Sequence, residues 1–329
     1  MSTNKFPDSL LNILKHLDES PPTEKETWEG AIIEKIGGGR NNLIYRVQQE
    51  GHDVAVKFTI KDERDRARRE YVALSALHAA GIDTTPQALW LDESSYQQPV
   101  VIQSWLDGQT LEGIPADRAG WSQLVDHFVT IHSVKKAAKF DQVPNAVLGF
   151  QNGAQGKQMV LEFAELLPRH ARPSKVQDLL NWFANWAPPS FPQAQLALCR
   201  SDANWRNFIQ QEHKLASVDW ENSGWGDPAF EIADLMTHPA YEGVSQSDWD
   251  FVVKLYAERS EDPTAQVRIK TYTLQMLMWW VIRWARYLHE IPLGKDQRLA
   301  KRSDDWKPHT ERKLGLEIAR LEKAIEENF

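Results

Sequence analysis

The chain is poor in cysteine: Cys199 stands alone among 329 residues. One thiol cannot build an internal disulfide framework, and the composition fits a reducing compartment. Long apolar runs are missing too. The most apolar stretch, Met276 to Ile282, falls far short of the roughly 20 residues that span a bilayer. The opening residues, MSTNKFPDSLLNILKHL, hold no apolar core of the roughly 7–15 residues that a signal peptide requires. The expectation is a cytoplasmic protein with no membrane partner. Basic charge is also short. Lys and Arg number 38 against 46 Asp and Glu, a net charge of −8. That balance argues against a nucleic-acid partner held by phosphate neutralisation and leaves room for a cationic small molecule. There are no internal repeats or low-complexity segments, and nothing points to an oligomeric state.

What is present supports a packed, two-part chain. Apolar residues make up 42%, enough for a proper core, and the length suits about two domains. Leu10, Leu11, Leu14 and Leu17 recur at helical spacing behind Ser9, a capping residue. Ala31–Ile33 reads as a strand running into Gly37-Gly38-Gly39-Arg40-Asn41-Asn42, with further strands at Leu43–Val47 and Val54–Phe58. Glycines in such a hairpin let backbone N–H groups approach phosphates. Gly-Gly and Asn-Asn are equally plain hairpin chemistry, and the loop is not GxGxxG. Lys57 closes the apolar strand Val-Ala-Val-Lys, and a lone buried ammonium is costly. Glu70, on a periodic helix over Asp65–Leu77, is its candidate partner. Glu63 competes for that role nearer the helix start, and the bland alternative leaves both charges in water. Gln87–Leu91 and Pro99–Ser104 complete five strands.

Past Gly108 the pattern turns helical. Helices are expected at Trp121–Val134, Met159–Leu167, Val176–Trp186, Pro228–Thr237, Ser247–Arg259, Gln266–His289 and Thr310–Glu327. Residues 135–155 and 295–307 read as loops. The most informative stretch is Cys199–Leu235. Asp202, Asn207 and Asp219 punctuate apolar segments there, so strand, loop and strand would aim two carboxylates and an amide at one point. Phosphoryl transfer uses that trio: one carboxylate takes the proton of a substrate hydroxyl, while an amide and a carboxylate hold magnesium. Taken singly, Asp202 and Asn207 are ordinary turn residues.

This block resembles the aminoglycoside phosphotransferase and choline kinase group of protein-kinase-like small-molecule kinases. Their pattern is His-x-Asp, Asn five residues after the Asp, an apolar strand ending in Asp, then Gly-Asp-Pro. The chain supplies Asp202, Asn207, Asp219 and Gly226-Asp227-Pro228, and departs at Arg200, which stands in place of the His. The resemblance implies an α+β, bilobal fold: an N-lobe over 1–104 of about five antiparallel strands plus a helix, and a mainly helical C-lobe over 105–329. It implies ATP or GTP with Mg2+ and a small-molecule hydroxyl acceptor. Asp202 would be the base, Asn207 and Asp219 the magnesium ligands, and Lys57 with Glu70 the phosphate-positioning pair. Gly38, Gly39 and Asn42 would form the loop over the phosphates. Trp105-Leu106-Asp107-Gly108 is similar to the family hinge, with Gln103 and Trp105 at the adenine edge. Arg200 and Asp227 would brace the catalytic loop.

The acceptor side is less determined. Glu221, Glu231 and Asp234 would meet cationic groups, or else be helix-surface charges. Trp280 and Trp284 would make a stacking wall, against the plainer reading of a tryptophan stripe as core. Arg283 and Arg286 on the same helix would suit an anionic acceptor instead. The rival with the same fold is a nucleotide-binding pseudokinase, prompted by Arg200. A protein kinase is disfavoured because Gly226-Asp227-Pro228 follows Asp219 too closely for an activation loop.

Overall fold

The computed structural model describes residues 8–38, 42–49, 51–295 and 304–328. It begins with α1 (Asp8–Glu19), β1 (Glu26–Trp28), β2 (Ala31–Gly38), β3 (Asn42–Gln49), β4 (His52–Thr59), α2 (Arg66–Ala79), β5 (Ala88–Asp92), β6 (Val100–Ser104) and β7 (Gln109–Thr110). There follow α3 (Arg118–His132), α4 (Gly153–Glu165), α5 (Ser174–Asn185), β8 (Ala197–Cys199), β9 (Phe208–Gln210), β10 (Leu215–Ser217) and β11 (Gly224–Gly226). The chain ends with α6 (Pro228–Thr237), α7 (Gln246–Arg259), α8 (Ala265–Glu290) and α9 (Trp306–Asn328). Two compact units result. The first comprises Met1–Glu112, Ala137–Val147 and Arg206–Gly224; the second comprises Gly113–Lys136, Leu148–Trp205 and Trp225–Phe329. The sequence reading divides the chain once, at 104/105; the structure returns two later segments to the first unit.

The first unit is built on a six-stranded sheet in the order β1-β2-β3-β4-β6-β5, antiparallel throughout. Side chains alternate across a strand, and β4 shows what that does. Val54, Val56 and Phe58 join Ile33, Tyr45, Val47, Val100 and Ile102 under Leu10, Ile13, Leu14 and Leu17 of α1. Each such buried leucine or valine is worth about 1.5–3 kcal/mol. Ala55, Lys57 and Thr59 therefore face the other way, toward α2. The sheet has one strand more than the five expected. The addition, β1, pairs Trp28 with Ala31, and its three residues are too few to show a period. A smaller sheet, β10-β9-β7, lies in the same unit.

The second unit is helical, with α8 as its central element. Ile269, Tyr272, Met276, Val281 and Ile282 of α8 are buried, and α4, α5, α6, α7 and α9 all pack on it. Several helix starts carry side-chain caps: Asp117, Asn152, Asp227 and Ser245 each accept from an N–H in the first turn. The region expected to be a loop over 135–155 ends early, because α4 begins at Gly153. Glycines disguised that turn, and packing explains them: a Cβ on Gly156 would stand 2.2 Å from Gln275 Oε1 and 2.8 Å from the Phe150 ring. Of the 295–307 loop, residues 296–303 lie outside the described residues. Among the described residues, no helix is long and apolar enough to cross a membrane.

Candidate active site

In the first unit, α2 and the strands gather charge around Lys57. Its ammonium donates to Glu70 Oε2 at 2.7 Å, pairs with Asp219 and lies 3.6 Å from Glu221. Asn42 Nδ2 donates to Glu221 Oε2 at 2.6 Å. Arg66 Nε donates to Asp62 at 2.9 Å, and its Nη1 pairs with Glu221. Burial alone would push the Lys57 ammonium down, but Asp219, Glu70 and Glu221 outweigh it and hold it above its usual range. Burial pushes Glu70 up to about 7, against the pull of Lys57, and the Asp219 and Glu221 charges add to the rise. Carboxylates outnumber cations here. Asp219 is the open member: its side chain is 27% exposed, against 0% for Glu70 and 5% for Glu221. Its φ of 65° is left-handed, uncommon for a non-glycine residue. The Val218 N–H donates to the Asn207 carbonyl at 2.9 Å, so residues 207 and 218 lie side by side.

The nucleotide-side candidates lie on the same sheet. Gly38 ends β2 opposite Leu43, after a register shift between Lys35 and Gly37. Gly39 lies outside the described residues. Gln103 pairs with Ala55 on β4, on the face that carries Lys57, and its buried Oε1 has no hydrogen-bond partner. Trp105 N donates to the Asp53 carbonyl at 3.1 Å, and the Arg46 guanidinium sits 4.3 Å above the Trp105 ring.

The second unit holds Asp202 on the loop after β8. The Asp202 carboxylate accepts from Asn204 N at 3.0 Å. The loop is braced by Glu231 of α6, whose Oε1 accepts from Arg200 N at 2.9 Å and Ser201 N at 2.8 Å. Its Oε2 lies 2.8 Å from His132 Nε2, and His132 Nδ1 lies 2.9 Å from the Tyr256 hydroxyl. Burial works to raise Glu231, but the hydrogen bond and charge of His132, then Arg200 and the Ser201 N–H, hold it below its ordinary value. Ser201, at φ 56°, is left-handed. Burial raises Asp234 to about 8, reinforced by Asp202 and Glu231 and opposed by Arg200. Burial lowers His238 to about 4, with Arg200 and Lys313 adding to it.

Residues 32–262, well over half the chain, match the phosphotransferase enzyme family, APH. The chain belongs to that family. No curated protein matches it by sequence. Solved structures share the fold of this phosphotransferase. A choline/ethanolamine kinase family protein from Mesorhizobium loti superposes with a TM-score of 0.63 at 20% identity, covering 89% of this chain and 88% of its own. Spectinomycin phosphotransferase, solved with ADP and spectinomycin, gives 0.63 at 12% identity over 96% and 98%. The GDP and kanamycin complex of APH(2")-IIia gives 0.59 at 16% over 97% and 100%. The fold is therefore the protein-kinase-like α+β fold of aminoglycoside phosphotransferases and choline kinases.

Within the phosphotransferase, several expected residues change place. Asp227 does not tie down the Asp202 loop. It caps α6 through Ala229 N at 2.9 Å and grips α8 through Arg268 at 2.6 Å and the Tyr272 hydroxyl at 2.8 Å. Glu231 does the bracing, so both its oxygens are spent inside the protein and it is no acceptor-site carboxylate. Glu221 likewise belongs to the Lys57 cluster, where Asn42 and Arg66 hold it. Trp280 and Trp284 stack on each other at 5.7 Å, and their indole nitrogens are buried without a hydrogen-bond partner. Both rings are only half-buried. Arg286 pairs with Glu290 at 2.7 Å and lies over the Phe163 ring, and Arg283 lies over Tyr287. Glu63 is exposed. Sequence reasoning missed Arg66, His132 and Arg268. For Arg66 a signal existed: it stands four residues before Glu70, on the same helix face.

Proposed function

We propose that this phosphotransferase moves the γ-phosphoryl group of ATP or GTP to a hydroxyl of a small molecule. The observation that carries the reading is the Lys57 cluster: one buried ammonium shared by Glu70 of α2 and the part-exposed Asp219. Lys57, oriented by Glu70, binds the α- and β-phosphate oxygens, and the backbone at Gly38 covers the phosphates. Gln103 and Trp105 flank the base. Asn207 and Asp219 would hold magnesium. The donor set fits, being hard oxygens in a cluster where Glu70, Asp219 and Glu221 crowd around Lys57, a surplus of negative charge that a divalent cation offsets. When bound, magnesium neutralises charge on the phosphate oxygens. Asp202 accepts the proton as the acceptor oxygen bonds to phosphorus, and the bond from phosphorus to the bridging oxygen breaks to release the nucleoside diphosphate. The Glu231 brace fixes the backbone from which Asp202 projects.

Relatives that act on spectinomycin or bind kanamycin, and a choline/ethanolamine kinase family protein, support an acceptor that carries an amine: an aminoglycoside, an amino sugar or a choline-like alcohol. Asp234 is the remaining candidate carboxyl for it, one that would ionise as the amine binds, and Trp280 with Trp284 is the candidate stacking wall. The test is a coupled assay of nucleoside diphosphate release with pooled amino sugars, aminocyclitols, choline-like amines and sugar alcohols. Release that depends on one pool and on magnesium is expected. Tight nucleotide binding with no acceptor-dependent release from any pool would favour the pseudokinase.

A further inference from the structure

Four consecutive residues follow Asp219, and α2 with the turn before it holds each of them. Trp220 N points to Glu70 Oε1 at 3.5 Å. Glu221 pairs with Arg66. Asn222 Oδ1 accepts from Arg64 Nη1 at 3.3 Å. The Ser223 carbonyl accepts from Arg69 Nη1 at 2.7 Å. Arg69 also donates to the Asn145 carbonyl at 2.6 Å and, through Nε, to the Arg64 carbonyl at 3.2 Å. Three backbone segments thus meet on one guanidinium. The 144–146 segment leans on the same place. A Cβ on Gly224 would stand 2.5 Å from atoms of Pro144, Asn145 and Ala146, and Val147 N donates to the Asn222 carbonyl at 3.1 Å.

This grip has a reason. Asp219 sits at φ 65°, and a non-glycine residue stays left-handed only where its surroundings over-determine it. Glu70, next to Arg69 in sequence, orients Lys57. One turn of α2 therefore carries both the group that aims the lysine and the group that fixes the Asp219 loop. A guanidinium suits the task, because its planar fork serves several carbonyls in fixed directions and it stays charged.

We propose that Arg69 is a positioning residue for the magnesium–nucleotide site, holding the Asp219 loop in register with the Lys57–Glu70 pair. The proposal rests on the reading of Asp219 as a metal ligand. It is tested in the full chain with Arg69→Met and Arg69→Lys. Binding of a non-hydrolysable ATP analogue is followed by fluorescence as magnesium is raised from zero, alongside thermal unfolding. For Arg69→Met the magnesium needed for half-saturation should rise about ten-fold, the effect of losing the one charged hydrogen bond, to the Ser223 carbonyl, that reaches the Asp219 loop. Magnesium-free affinity should stay at the wild-type value. Arg69→Lys should fall between, since an ammonium can keep one carbonyl. A wild-type magnesium midpoint in Arg69→Met overturns the proposal, as does an equal loss of affinity with and without magnesium. If Arg69→Met does not fold, Arg69→Lys is judged by the same readings. Failure of both to fold would make Arg69 part of the folding core and also overturn it. Asp219→Asn runs in parallel. An unchanged magnesium dependence there defeats the site reading itself; a shift there without one in Arg69→Met defeats only the role of Arg69.

Discussion

Asp234 keeps its proton to about pH 8 because it is buried beside Asp202 and Glu231, whereas an unfolded aspartate ionises near pH 4 or so. Between those values the folded chain holds a proton that the unfolded chain has released. Its contribution to stability is therefore fully present at low pH and is lost as pH rises toward 8. Asparagine imitates the protonated form. Asp234→Asn should melt close to wild type near the acid end of this window and above wild type beyond pH 8. Paired melting curves across the window check the sign, and a constant offset at every pH would contradict it. For Asp202, replacement by alanine should lower kcat by at least about 10²-fold, the low end for general-base catalysis. Nucleotide affinity should be unchanged. Single-turnover kinetics on an identified acceptor, beside a binding titration, separate the two. At this scale the contact between Lys57 and Glu70 was legible, because a lysine that closes an apolar strand needs a counter-charge. Glu221 and Arg66 were not: charge spacing on a helix or turn does not say which side a sheet will cover.

Elements with a chemical start signal were read closely. Pro228 after Asp227 opens α6, and the helix runs Pro228–Thr237 as expected. Elements without one were not. The three residues of β1 carry no periodicity, and α4 begins six residues ahead of the expected Met159, a start hidden because Gly153 and Gly156 look like loop residues. Their use is a close approach of α4 to α8, which only the folded packing reveals. Gly156→Ala should therefore destabilise by about 1–3 kcal/mol, the usual cost of overpacking, even though alanine is the better helix former. Denaturant unfolding measures this. A gain in stability would show that Gln275 swings aside freely.

Across the whole molecule, the chain leaves the first unit and returns to it twice, and no local pattern announces that. The returns depend on pairings between distant residues, such as Ser217 N to the Thr84 carbonyl at 2.9 Å and Val147 N to the Asn222 carbonyl. The broad division into an antiparallel sheet and a helical part was legible, since the switch from two-residue to helical periodicity near Gly108 is strong. The solitary thiol has a use at this scale. Cys199 is 1% exposed, and burial, aided by Glu231 and Asp227, raises its pKa well above the ordinary thiol value. A native molecule should thus be inert to thiol-modifying reagents, while an opened one reacts at a single known position. Modification rate then becomes a clock for the opening of the second unit, readable by mass without any engineered probe. Cysteines introduced elsewhere for spectroscopic labels would meet no background.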